Sequence, residues 1–241
     1  RDRLRSRGLG DVYKRQVGTQ YGDRFYPSIS GVARSINYYP INDELAEEGT
    51  VSLALGLGKY IVDGGLTLRV CPYHPDKVLQ TSEMEMALRE TQTRFYALDL
   101  KNLGQNFSLD DGFNLLKLPV KEAENDGALT YIASTYDPYD MVIRDGIYPG
   151  GRKVITFANI LQHDVFPLAR ILQLAQKYGQ GEMRRPVEIE FAVNLDAKEK
   201  KGVFYLLQIR PMVDMKADLN EDLNTIPEDL LLLKSCLLYT S

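Results

Sequence analysis

Two stretches alternate apolar and polar positions with period two, the spacing that sends successive side chains to opposite faces of a strand. In 187–193 (VEIEFAV), Val187, Ile189, Phe191 and Val193 share one face, and Glu188 and Glu190 share the other. In 203–211 (VFYLLQIRP), Val203, Tyr205, Leu207 and Ile209 fall on one face, leaving Gln208 and Arg210 with Phe204 and Leu206 on the other. The polar run 198–202 between them predicts a hairpin loop.

Upstream, 24–35 (RFYPSISGVARS) is aromatic and β-branched and predicts strand broken by a turn at Pro27-Ser28. The segment 50–65 predicts a strand, a tight turn at Gly56-Leu57-Gly58, and a further short element. Met84, Leu88, Phe95 and Leu98 are spaced as the apolar side of a surface helix over 84–98. Residues 115–120 and 130–134 predict short strands around a helical 121–127, and 152–157 another strand. Asp164 is positioned to cap a helix with Pro167 in its first turn. Leu168, Ile171, Leu172 and Ala175 form its apolar face, and it is expected to end before Gly179. Strands mixed with helices, without regular βαβ alternation, indicate α+β rather than a doubly wound parallel sheet.

Composition narrows the class. Of 241 residues, 44% are hydrophobic and 26% charged, with a net charge of -4, which excludes disordered and collagen-like chains. No apolar run reaches the roughly 18–20 residues of a spanning helix, and the charge gives no footprint for nucleic acid, so neither a membrane nor a nucleic acid is expected as partner. Residues 1–16 hold six Lys/Arg against two Asp, leaving 23 basic and 31 acidic residues in the rest. Both 1–16 and 235–241 read as adapter-like extensions, 17–213 as a partial domain, and 214–234 as the start of a linker to further domains. With Cys236 set aside, Cys71 stands alone, which predicts a packed side chain and a reducing, cytoplasmic compartment. His74 and His163 fit no metal-ligand spacing.

The two strands carry the candidate chemistry. If Glu190 lies opposite Gln208, then Glu188 lies opposite Arg210, and the apolar faces match as well. That register gathers two carboxylates, an amide oxygen and a guanidinium on one patch. Mg²⁺ takes one or two such oxygens and completes its shell with water and phosphates, and arginine offers phosphate a bidentate fork. The same residues also suit a cross-strand ion pair on a solvated face, worth about 0.2–1 kcal/mol. Gly58-Lys59 does not complete a P-loop, since Leu53 and Tyr60 stand where Gly and Ser/Thr are needed. Gly56-Leu57-Gly58 does not complete a dinucleotide fingerprint, since position 61 is Ile.

Three ordered motifs choose between these alternatives. Ser30-Gly31-Val32-Ala33, then Gly56-Leu57-Gly58-Lys59-Tyr60-Ile61-Val62-Asp63-Gly64, then Glu188-Ile189-Glu190-Phe191 with Leu207-Gln208-Ile209-Arg210-Pro211 resemble the nucleotide-binding domain of the phosphoenolpyruvate synthase and pyruvate phosphate dikinase family. The resemblance implies an ATP-grasp-like α+β fold, with a mixed, largely antiparallel sheet and flanking helices, present here as an incomplete domain. It also implies a phosphotransferase that uses Mg-ATP to phosphorylate a histidine on a separate domain, en route to pyruvate. Glu190 and Gln208 would be metal ligands, Arg210 would contact phosphates, and Glu188 would position the nucleotide or its metal. Gly56, Gly58 and Lys59 would line the nucleotide site. The phosphohistidine and pyruvate-binding domains are expected outside this chain, which would be inactive alone. Departures are Glu188 for the usual Asp, Lys59 for the usual Glu, and Arg34 for an apolar or aromatic residue; the first two favour an alternative, a non-catalytic ATP-sensing or regulatory module.

Overall fold

The computed structural model describes residues 17–101, 114–197 and 199–212. The expected extensions and linker at 1–16, 214–234 and 235–241 lie outside the described residues. The chain divides into two compact units, Arg1–Pro211 and Met212–Ser241, and every element below belongs to the first. In chain order these are β1 (Thr19–Tyr21), β2 (Arg24–Tyr26), β3 (Ile29–Arg34), β4 (Thr50–Ala54), α1 (Lys59–Val62), β5 (Leu68–Val70), α2 (Met84–Glu90), β6 (Arg94–Asp99), β7 (Leu115–Pro119) and α3 (Val120–Asn125). There follow β8 (Ala133–Asp137), β9 (Val142–Asp145), β10 (Arg152–Ile155), α4 (Ala158–Leu161), α5 (Leu168–Met183), β11 (Val187–Asp196) and β12 (Lys201–Pro211).

The fold is α+β. The strands form a five-stranded sheet in the order β12-β11-β3-β4-β5, a four-stranded sheet β1-β2-β6-β7 and a three-stranded sheet β10-β8-β9. Every ladder among the described residues is antiparallel.

Period-two patterning gives the five-stranded sheet two unlike faces. Val187, Ile189, Phe191 and Val193 of β11 are buried on one, beside Ile29 and Ala33 of β3 and Val51 and Leu53 of β4. Helix α5 covers this face with Leu168 and Leu172, both almost wholly buried. Gln176 ties the helix to the sheet, its Nε2 donating to the Arg34 carbonyl at 2.9 Å. The opposite face carries Glu188, Glu190, Arg34, Gln208 and Arg210, and among the described residues no long helix packs on it as α5 does on the first. Gly31 sits under Phe191, where a Cβ would run into the ring, so a residue without one lets β3 and β11 pair beneath a large aromatic.

The hairpin register is the expected one at its base: Glu188 pairs with Arg210 and Glu190 with Gln208. Beyond that the alternation differs from the sequence reading. A bulge between Glu190 and Phe191 places Phe191 opposite Leu206, Ala192 opposite Tyr205 and Val193 opposite Phe204. One extra residue on β12 is absorbed there, so the tip half changes phase. Phe204 turns to the core and stacks on Phe191 with ring centroids 5.2 Å apart.

Two helix expectations are corrected. Residues 84–98 are not one helix: α2 ends at Glu90 and β6 begins at Arg94. Gln92 breaks the period, its side-chain oxygen accepting from Leu55 N at 2.7 Å and its amide donating to Leu55 O at 2.9 Å. This tertiary pairing outweighs a weak local periodicity. Asp164 does not cap α5 but adopts φ +50, and Pro167 occupies the N-cap position. The helix also runs past Gly179 to Met183, with Gly179 buried against Ile209 and Val187. Cys71 is free and fully buried, and burial pushes its thiol pKa up, which suits a packed side chain. His163 pairs at the surface with Asp145 at 3.1 Å.

Candidate functional site

The face of the five-stranded sheet away from α5 presents two polar rows. In the first, Glu188 of β11 lies between Arg210 of β12 and Arg34 of β3. Arg34 Nε donates to Glu188 Oε2 at 2.8 Å, Arg210 Nε donates to Oε1 at 3.0 Å, and Arg210 Nη2 donates to the same oxygen. Burial on its own would push the Glu188 carboxyl up, but the hydrogen bonds from Arg210 and Arg34 outweigh it and hold the pKa below the usual carboxylate range. Arg210 is shifted further up by the same bonds to Glu188.

A pH dependence follows with a fixed sign. Because the folded-state pKa of Glu188 is depressed, its contribution is complete above the ordinary glutamate value of about 4.3 and is lost as pH falls through the lower value held in the fold. Glu188→Gln is therefore expected to destabilise the chain at neutral pH and to match the parent at the acid end. Denaturant melts of both proteins from pH 7 to pH 3 test this; a gap that does not narrow on acidification would remove the ion-pair explanation.

In the second row, Glu190 lies between Gln208 of β12 and Val32 of β3. The Glu190 carboxylate takes no hydrogen bond and no ion pair among the described residues. It opens into a cleft of about 630 Å³ whose walls include Ser30, Val32, Leu57, Gly58, Lys59, Leu98, Leu115, Tyr205 and Leu206. One wall is thus this sheet face, and the other comes from the α1 turn and the ends of β6 and β7.

The turn before α1 is pinned from both sides. Ser30 Oγ donates to Gly56 O at 2.7 Å, and Leu57 N donates to Tyr96 O at 2.9 Å. Gly56 has φ +85, and a Cβ there would strike the Tyr96 carbonyl and Phe95, so both the backbone angle and the close approach call for glycine. Lys59 enters the cleft wall while its ammonium pairs with Asp63, four residues on, at 3.1 Å. Asp63 also accepts from Tyr96 Oη at 3.0 Å, and the bond from Lys59 chiefly lowers its pKa.

Of the residues singled out in the sequence, Gly58, Lys59 and Glu190 line the cleft. Gln208 stands across from Glu190 in the same row, and Glu188 and Arg210 occupy the next row along. Gly56 lies behind the wall as its structural support. The sequence reading missed Ser30 as the turn's anchor, Leu98 and Leu115 as the facing wall, and Tyr205 on the cleft side. The first three come from segments far apart in sequence, and the last depends on the bulge.

The donor set can be tested against a hard divalent cation. A carboxylate with no hydrogen bond or ion pair among the described residues, beside a side-chain amide, supplies the oxygen chemistry that Mg²⁺ takes. Among the described residues no group of three or more His, Cys, Asp or Glu is placed to hold a metal, so a cation here would draw the rest of its shell from water and phosphate oxygens. The Glu190–Gln208 pair fits that arrangement. Glu188, with both oxygens engaged by arginine, fits it less well.

Among the described residues, no helix is long and apolar enough to cross a membrane. No curated protein sequence matches the chain. The family described as pyruvate phosphate dikinase, AMP/ATP-binding domain, matches residues 16–228. The match takes in all three motifs and the whole of the cleft, and antiparallel sheets with few helices agree with the ATP-grasp-like fold of that domain. The chain therefore belongs to the pyruvate phosphate dikinase AMP/ATP-binding domain family.

Proposed function

We propose that this chain binds Mg-ATP in the cleft and presents a phosphoryl group for transfer to a histidine on a separate domain, en route to pyruvate, as part of a longer dikinase-like phosphotransferase in the cytoplasm. The observation that carries the reading is the Glu190 carboxylate, which lines the cleft with no hydrogen bond or ion pair among the described residues, while its neighbour Glu188 is fully engaged. Glu190 and Gln208 offer oxygens to Mg²⁺. The bound ion would neutralise phosphate charge and align the oxygens for displacement. Arg210 holds phosphate oxygens with the N–H groups that Glu188 leaves unused, and Glu188 fixes its orientation. Gly58 and Lys59 border the nucleotide, and the apolar walls from Val32, Leu98 and Leu115 suit a flat base. Pieces of this kind raise rate by alignment and preorganised charge rather than by covalent chemistry.

Arg210→Ala tests the assignment. Transfer from ATP labelled in its terminal phosphates to a phosphohistidine domain of the family, supplied separately, is expected to fall about a hundredfold or more. Folding should persist, because Arg34 still holds Glu188. A transfer rate equal to the parent's would remove the proposed role.

A non-catalytic ATP-sensing module is the second reading. It is favoured by Lys59, whose charge is taken up by Asp63 at the cleft wall. The same assay separates the two, since a sensor binds Mg-ATP and transfers nothing.

A further inference from the structure

Glu188 needs one guanidinium to neutralise it and has two. The row Arg34–Glu188–Arg210 therefore carries a net positive charge, next to a row in which Glu190 is negative. Arg34 engages Glu188 only through Nε, and its two Nη groups make no hydrogen bond among the described residues. Its side chain is 49% exposed and that of Arg210 is 56% exposed. Bonding through Nε fixes the plane of a guanidinium and leaves its outer N–H groups pre-aimed, the form in which arginine recognises phosphate. The two arginines stand on strands flanking β11, two residues along from the Glu190–Gln208 row on the same face. At the strand rise that is about 7 Å, a distance a phosphate chain spans.

We propose that Arg34 is a second phosphate-binding guanidinium of this site, which with Arg210 forms a two-armed clamp, pinned from between by Glu188, on the phosphate chain of the nucleotide. The inference rests on the Mg-ATP reading for the identity of its ligand but not for its anion chemistry. Glu188 is then a positioning residue for both arms. Its own charge is spent on them, so it does not repel the incoming anion.

The probes are inorganic tripolyphosphate without metal, and Mg-ATP, each titrated calorimetrically into the full chain and into Arg34→Met and Arg34→Gln. Either variant is expected to loosen tripolyphosphate about tenfold, the worth of one charge-assisted contact, with an unchanged circular dichroism spectrum. Arg34→Gln keeps a donor for Glu188 and serves if Arg34→Met fails to fold. Tripolyphosphate affinity equal to the parent's in a folded variant would overturn the clamp, as would a parent chain that does not bind tripolyphosphate. If the parent binds tripolyphosphate through Arg34 but not Mg-ATP, the clamp stands and the nucleotide reading falls. If it binds Mg-ATP and the variants do so equally well, the reverse holds.

Discussion

Glu190→Ala is expected to abolish measurable Mg-ATP binding while leaving the stability of the chain within about 0.5 kcal/mol of the parent. The two halves of this expectation have one cause. The Glu190 carboxylate has no hydrogen bond or ion pair to lose among the described residues, and it sits at the edge of the cleft rather than in the core. Among the described residues its removal therefore costs only a weak electrostatic attraction to Arg210. For a hard cation, by contrast, it is the one anionic oxygen donor of its row, since Gln208 offers only an amide. Loss of a partner that merely orients a metal ligand costs about 10- to 100-fold in metal affinity, and loss of a direct ligand should cost at least that. Calorimetric titration of Mg-ATP, with a thermal melt of the same sample, reads both halves. A variant that binds as the parent does would sink the assignment. The neighbouring Glu188→Gln should instead cost stability at neutral pH, because that carboxylate is held by two arginines.

The largest effect on stability is expected from Phe191→Ala, at about 3–5 kcal/mol. Phe191 is almost wholly buried, lies over Gly31 and stacks on Phe204 across the bulge. Removing the ring leaves a cavity between β3 and β12, and Gly31 has no side chain to fill it. In a protein of this size the melting temperature should fall on the order of 10 °C. Because the ring holds the bulged segment in place, Tyr205 and Leu206 at the cleft wall should loosen too, and Mg-ATP affinity should drop even with Glu190 intact. Denaturant unfolding followed by tyrosine fluorescence measures the first effect and calorimetry the second. A loss under about 1 kcal/mol would mean that the stack does not hold the hairpin.

The base of the hairpin was legible in the sequence because polar and apolar residues alternate there without a gap. From Val187 to Glu190, and from Gln208 to Arg210, each position declares its face, and the two rows follow. The tip half was not legible. Phe204, Tyr205, Leu206 and Leu207 are all apolar or amphipathic, so no polar position marks the phase and an extra residue leaves no trace in the pattern. The helix expected over 84–98 failed for a related reason. Its apolar spacing fits a helical period, but the contact that decides the matter, Gln92 to Leu55, spans 37 residues. Arg34 bonds Glu188 at a separation of 154 residues, so a residue that stands out in the sequence only as a departure from the family pattern proves to share the carboxylate of the candidate site. The resemblance identified the motifs, but the wall formed by Leu98 and Leu115 comes from strands that none of those motifs contains.

The bulge on β12 has a consequence for how such a chain can drift in length. Leu207 is the unmatched residue of the ladder: with it removed, Gln208 would still meet Glu190 and Leu206 would still meet Phe191. Loss of any residue from 208 to 210 would instead bring a different side chain opposite Glu188 or Glu190 and break up a polar row. The strand thus behaves as two rulers joined at one sliding point, and deletions between the hairpin tip and that point leave the Glu190–Gln208 and Glu188–Arg210 pairs in step.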